Sequence, residues 1–212
     1  KNLVVFLTAD HAVVPVPQML QDKNLPGGYI YMDQLMKSLN LALDQEFGKQ
    51  ENWILVEENQ HFYLDREKIK ASQKSYEDVV SVMKKLLLNW PGVKSVYTKE
   101  ELTSEGGTDD EWKSMVRKGF DYLRSGDLVF LVEPGYLTKS LDSPKAHQGT
   151  SHGSSFNYDA HVPLLWYGKN WKKKDVFSPC EITDIAPTLI HLMNLQRPGA
   201  MTGSPLEDLL KK

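Results

Sequence analysis

The chain opens on an unbroken apolar run, Leu3-Val-Val-Phe-Leu7, that gives way to Asp10-His11 within a few residues. A run with no polar alternation predicts a strand from about Leu3 to Thr8, covered on both faces. After the Pro15 and Pro17 loop and the Gly27-Gly28 break, Met32, Leu35, Met36, Leu39 and Leu43 recur at helical spacing. They predict an amphipathic helix from about Tyr29 to Phe47. Trp53–Glu57 and His61–Leu64 read as a hairpin about a polar turn. Ser75-Tyr-Glu-Asp78 opens a capped helix with Val79, Val82, Met83, Leu86 and Leu87 on its apolar face. Pro91-Gly92 stops it. Val93–Tyr97 reads as a strand. Thr108-Asp-Asp-Glu111 starts a further capped helix carrying Trp112, Met115, Val116, Phe120 and Leu123 on one side. Leu128–Val132 is another wholly apolar strand, ending at Glu133-Pro-Gly135.

From about Thr138 to His161 the pattern disappears into a polar loop rich in Gly, Ser and His, and loops of that length are commonly functional. A strand from Val162 to Tyr167 and a helix from about Thr183 to Met193 follow, with Pro187 tolerated in the helix's first turn. Strands alternating with helices predict an α/β fold, a mostly parallel sheet flanked by helices. The segment from about Trp53 to Tyr97 reads as a small α+β insertion.

Composition narrows the partners. The chain has 212 residues, 41% hydrophobic and 25% charged, which is enough for one substantial core. A net charge of −3 gives no reason to expect nucleic acid, and the short Lys172-Lys-Lys174 run reads as a solvated turn. No apolar stretch approaches the roughly 20 residues of a membrane span. Cys180 is the single cysteine, so an internal disulfide and a thiolate zinc cluster are both excluded. Lys1-Asn2 leads straight into a buried-type strand with no leader, which is the expectation for a fragment.

The candidate chemistry lies in two places. Asp10 and His11 are neighbours, so within a strand they would face opposite ways. They can serve one site because the strand ends there and Pro15 turns the chain aside. A carboxylate beside a neutral imidazole suits zinc. The plainer reading is an aspartate capping backbone amides next to an incidental histidine. His152 lies between Gly149 and Gly153, which let the backbone pass close to a ligand; its plainer reading is a solvated loop histidine. His147 reads as surface, His161 as a buried, hydrogen-bonded residue orienting the loop, and His191 as a half-buried helix residue. Gly149-Thr-Ser151-His-Gly153 also satisfies the pattern of a serine-hydrolase nucleophile elbow. That motif needs a strand directly before the serine and a helix directly after it, and here a loop stands on both sides.

Thr8-Ala-Asp-His-Ala-Val-Val-Pro-Val-Pro17, together with Gly149-Thr-Ser-His-Gly-Ser-Ser-Phe-Asn-Tyr-Asp-Ala-His-Val-Pro-Leu-Leu-Trp-Tyr-Gly168, resembles the alkaline phosphatase superfamily. The similarity is best to bacterial alkaline phosphatases with a threonine nucleophile, relatives of the type I phosphodiesterase/nucleotide pyrophosphatase group. Glu181-Ile-Thr-Asp-Ile-Ala-Pro-Thr-Leu189 also looks like that superfamily's C-terminal helix. The resemblance covers the whole chain, residues 1–212, as the C-terminal portion of an alkaline-phosphatase-like domain.

It implies that Asp10 and His11 ligate one zinc and His152 a second, in a two-metal, in-line phosphoryl transfer. Ala12 stands where the family carries glycine. The family's threonine nucleophile and its remaining ligands lie upstream of the Asp-His motif, and only seven residues precede Thr8. The resemblance therefore implies a small-molecule phosphate ester as substrate and an N-terminal half of the same catalytic core as partner, in a periplasmic or secreted setting. Phosphate monoester hydrolysis leads. A phosphodiesterase or nucleotide pyrophosphatase, and a non-catalytic binding or structural domain, are the alternatives.

Overall fold

The computed structural model describes residues 3–49, 52–142, 148–169 and 171–210. In chain order the strands are β1 (Val4–Leu7), β2 (Gly28–Tyr31), β3 (Ile54–Glu58), β4 (His61–Leu64), β5 (Val93–Thr98), β6 (Leu128–Val132), β7 (Tyr136–Lys139) and β8 (Leu165–Gly168). The α-helices are α1 (Pro17–Asp22), α2 (Met32–Phe47), α3 (Arg66–Ala71), α4 (Tyr76–Leu88), α5 (Lys99–Thr103), α6 (Glu111–Gly119), α7 (Asn157–Ala160), α8 (Ile185–Leu192) and α9 (Glu207–Leu210). They form two compact units, one of Lys1–Thr8 with Leu164–Lys212, the other Ala9–Pro163.

The Ala9–Pro163 unit holds the main core. Leu35, Leu39 and Leu43 on α2 and Val79, Met83 and Leu87 on α4 are all fully buried, together with Phe62, Leu128 and Phe130 from the sheet. Each such side chain contributes about 1.5–3 kcal/mol on leaving water. Trp53 joins α2 to β3. Its indole N–H donates to the Asp44 carboxylate and its backbone N–H to the Asn40 side-chain oxygen, both at 2.9 Å. The β3–β4 hairpin turns on Asn59 and Gln60 at φ 52° and 67°, the left-handed pair of a type I′ turn. Ser75 caps α4 as its sequence predicts, accepting from the Asp78 N–H.

The α/β class expected from the pattern is the class found, but parallel pairing is confined to β2–β7 among the described strands. The larger sheet runs β3-β4-β6-β5 with antiparallel neighbours throughout. The wholly apolar Leu128–Val132 owes its composition to a central place in that sheet. In this strand the unbroken apolar run reports burial and not strand direction.

Other boundaries move for identifiable reasons. Tyr29–Tyr31 belong to β2 and not to the following helix: Ile30 is buried while Tyr29 and Tyr31 are partly open, a period of two. The cap of α6 is Asp110, which accepts from the Lys113 N–H, and the helix ends at Gly119, leaving Phe120 and Leu123 outside it. The long polar loop contributes its first residues to β7 and its last to α7. The final strand starts at Leu165, since Pro163 lacks the N–H a ladder needs.

In the other unit, β1 pairs antiparallel with β8. The expectation that β1 is covered on both faces does not hold. Leu3, Phe6 and Leu7 are 62%, 40% and 61% exposed, as is Leu165 at 58%. Among the described strands β1 has β8 as its neighbour and nothing further. The C-terminal helix spans Ile185–Leu192 after a single 3₁₀ turn, Ile182–Asp184. Asp184 ties that turn in place by accepting from the Glu181 and Ser204 N–H groups. No helix among the described residues is long and apolar enough to cross a membrane.

Candidate metal centre

Two stretches far apart in sequence run side by side in the Ala9–Pro163 unit. The Ala12 N–H donates to the Asp159 carbonyl oxygen at 2.7 Å, and the Val14 N–H donates to the Ser151 carbonyl oxygen at 2.9 Å. The Thr150 hydroxyl donates in turn to the Val14 carbonyl. These ties place the His11 and His152 imidazoles face to face, with ring centroids 3.5 Å apart and planes 16° from parallel. Left-handed backbone at Gly149 and Gly153, φ 77° and 109°, bends the loop on either side of His152.

The carboxylate lies at the edge of this pair. Asp10 Oδ1 is 3.7 Å from His11 Nε2 and also accepts from the His11 backbone N–H at 3.1 Å. His11 Nδ1 lies 2.7 Å from the Ala12 carbonyl oxygen. That contact favours a proton on Nδ1 and leaves the Nε2 lone pair to face the carboxylate. A tetrahedral zinc with bonds of about 2.0 Å sets its donors about 3.3 Å apart. The Asp10–His11 separation is within a few tenths of an ångström of that spacing, so the pair fits one ion. Asp10 is 89% exposed and His11 36%. Among the described residues no group of three or more His, Cys, Asp or Glu side chains is arranged to hold a metal.

The loop is anchored from behind. Asp159, 1% exposed, receives the Ser154 N–H on Oδ2 at 2.7 Å while its backbone carbonyl holds Ala12. One residue therefore grips both stretches. Phe156 packs its ring against Trp112 at 5.0 Å, and the Tyr158 hydroxyl accepts from the Gly135 N–H at 3.0 Å. Pattern reading gave Asp159 no role. The available signal is an aspartate inside a short polar turn just ahead of an apolar run, and that is too common to single it out.

The remaining histidines separate from this pair. His147 lies outside the described residues. His161 is exposed, with its backbone N–H on the Asn157 carbonyl, and so is not the buried residue expected. His191 is also exposed, in the last turn of α8, and so is not the half-buried residue expected. Ser151 has neither a strand directly before it nor a helix directly after it, since α7 begins at Asn157. The nucleophile-elbow geometry is absent there.

Sequence and fold together match the C-terminal part of the core of the alkaline phosphatase superfamily. Among individual relatives, the chain is 32% identical over 99% of its length to alkaline phosphatase PafA of Elizabethkingia meningoseptica. It is 29% identical over 100% of its length to a protein of Myroides odoratus named a calcium-transporting ATPase. The crystal structure of wild-type PafA superposes with a TM-score of 0.82 at 32% identity, over 97% of this chain and 38% of that one. The chain spans 37% of the length of both curated relatives. No protein-family model matches it.

Proposed function

We propose that this chain is the C-terminal part of a zinc-dependent phosphatase that hydrolyses phosphate monoesters by two-metal, in-line phosphoryl transfer. The observation that carries the reading is the imidazole pair: His11 and His152, remote in sequence, stacked at 3.5 Å with Asp10 at their edge. Asp10 and His11 hold one ion and His152 the other. Zinc bound there supplies Lewis-acid activation and neutralises charge on phosphoryl oxygens. The chain's own part is to orient donors. The Ala12 carbonyl fixes the His11 tautomer, and the Ala12–Asp159 and Val14–Ser151 bonds hold the two ligand-bearing stretches in register.

The nucleophile and the remaining ligands belong to an N-terminal half of the same core, which also covers the exposed apolar ribbon of β1 and β8. The substrate is a small phosphate ester, and the setting is periplasmic or secreted. The test is zinc content and turnover of the full-length protein on p-nitrophenyl phosphate and its bis-ester. Asp10→Ala and His152→Ala are expected each to lower zinc content and to reduce monoester turnover at least a hundredfold. Full activity and full zinc in both variants overturns the metal assignment. Preference of the parent for the bis-ester overturns the monoesterase reading in favour of a phosphodiesterase.

A further inference from the structure

A cleft of ≈ 440 Å³ opens on the Ala9–Pro163 unit beside β2, the start of α2 and the turn that follows α4. Its walls include Tyr29, Tyr31, Trp90 and Tyr136, with the carboxamides of Gln21 and Gln34 among them. The strand builds one wall directly: Ile30 points into the core at 1% exposure, while Tyr29 and Tyr31 share the opposite face with rings 6.2 Å apart. Two glycines build another. A Cβ at Gly28 would stand 2.8 Å from the Tyr136 ring, and one at Gly92, φ +87°, would stand 2.4 Å from it. The ring is thus lodged between bare backbones and held as a fixed surface.

None of the described residues lining this cleft is charged, so it is not made for a phosphate. It offers aromatic faces, on which flat rings stack irrespective of charge, and two carboxamides, each carrying donors and an acceptor, of which Gln21 gives one N–H to the Gly27 carbonyl at 3.1 Å. A carboxamide matches the paired donor and acceptor on the edge of an adenine ring. The volume lies in the range of small-molecule sites, roughly 300–1,000 Å³. We propose that this cleft binds a neutral, flat, hydrogen-bonding ring of nucleobase size, with Tyr29, Tyr31 and Trp90 as stacking faces and Gln21 and Gln34 as edge readers. The Tyr29 hydroxyl reaches to 3.5 Å from the carbonyl of Gly149, on the loop that carries His152. The ring is then the organic half of the ester whose phosphate meets the imidazole pair. This last link rests on the phosphatase reading, whereas the binding itself does not.

Calorimetric titration of the full-length protein with adenosine, in the presence of a chelator, tests the cleft without any turnover. Saturable binding is expected, weakened about tenfold by Tyr31→Ala and by Gln34→Ala. No saturation by about 10 mM adenosine, undiminished binding in both variants, or equal affinity for methyl glucoside would each overturn the proposal. A cleft covered by other parts of a longer chain would show itself as the first of these. The link to the ester is tested separately. With Tyr31→Ala, kcat/KM for adenosine monophosphate is expected to fall about tenfold further than that for glycerol phosphate. An equal fall for both esters breaks the link and leaves the cleft standing. Adenosine binding by a full-length protein that turns over no phosphate ester counts against the phosphatase reading and for the cleft.

Discussion

Asp159→Ala isolates the residue that grips both halves of the candidate metal centre. The substitution removes the acceptor of the Ser154 N–H, a 2.7 Å bond made by a carboxylate at 1% exposure. A charge-assisted bond of this kind carries about 1.5–3 kcal/mol, most of it the cost of leaving the amide unpaired away from water. Part is recovered, because Asp159 Oδ1 is buried with no hydrogen-bond partner among the described residues and its desolvation disappears with it. The net expectation is about 1–2 kcal/mol of local destabilisation. The Ala12 N–H keeps its bond, since that acceptor is the backbone carbonyl of residue 159. Amide hydrogen exchange reads the difference: Ser154 protection should fall about 5- to 30-fold and Ala12 protection much less. Asp159→Asn, whose amide oxygen can still accept, should restore most of it. Unchanged protection at Ser154 in the alanine variant, or equal losses at Ser154 and Ala12, would refute the division of labour argued for this residue.

Asp127 and His61 offer two further tests. Asp127 accepts from the Leu64 N–H at 2.7 Å, the Tyr76 hydroxyl at 2.8 Å and the Arg66 guanidinium at 2.5 Å. Arg66 is 54% exposed and Asp127 only 9%. Urea denaturation should therefore charge Arg66→Ala under about 1 kcal/mol and Asp127→Ala about 3 kcal/mol, and equal costs would contradict a buried acceptor hub. Burial holds His61 below its ordinary pKa of 6.5, and its Nδ1 accepts the Gly126 N–H, which requires the neutral ring. The unfolded chain takes up the proton first as pH falls. The stability contributed by His61 is thus full above 6.5 and is lost as pH drops from there through the lower folded value. The urea midpoint of the wild type should decline across that interval more steeply than that of His61→Gln, and a parallel decline would exclude the histidine as the cause.

The features readable in the sequence are those decided over a few residues. The helical spacing of Leu35, Leu39 and Leu43 and the Ser75 cap are local signals, and the corresponding helices stand where they predict. Asn59-Gln60 supplies the hairpin turn by local backbone preference. What escaped depends on partners elsewhere in the chain. Leu128–Val132 displays two-sided burial but not the antiparallel neighbours that cause it. Val4–Leu7 has the composition of a covered strand and is exposed. At the candidate site, Asp10, His11 and His152 stand out by residue type and position. Asp159 and the Thr150–Val14 tie do not, because bonds spanning most of the chain leave no periodic mark. The cleft tyrosines were hidden for a similar reason: Tyr29-Ile-Tyr31 continues the apolar density of the helix that follows and so reads as part of it.

The Thr150–Val14 tie closes a separation of 136 positions, whereas the hairpin and the α4–β5 unit close on themselves within short stretches. Loop closure over such a span rewards the chain only after the intervening core has formed. During synthesis, which runs from the N-terminus, the segment bearing Asp10 and His11 must wait until the residues around position 159 have left the ribosome. The imidazole pair is then among the last features of its unit to assemble. A nascent chain would keep Asp10 and His11 apart from His152 until the stretch around position 159 has emerged, and only then bring the two imidazoles together.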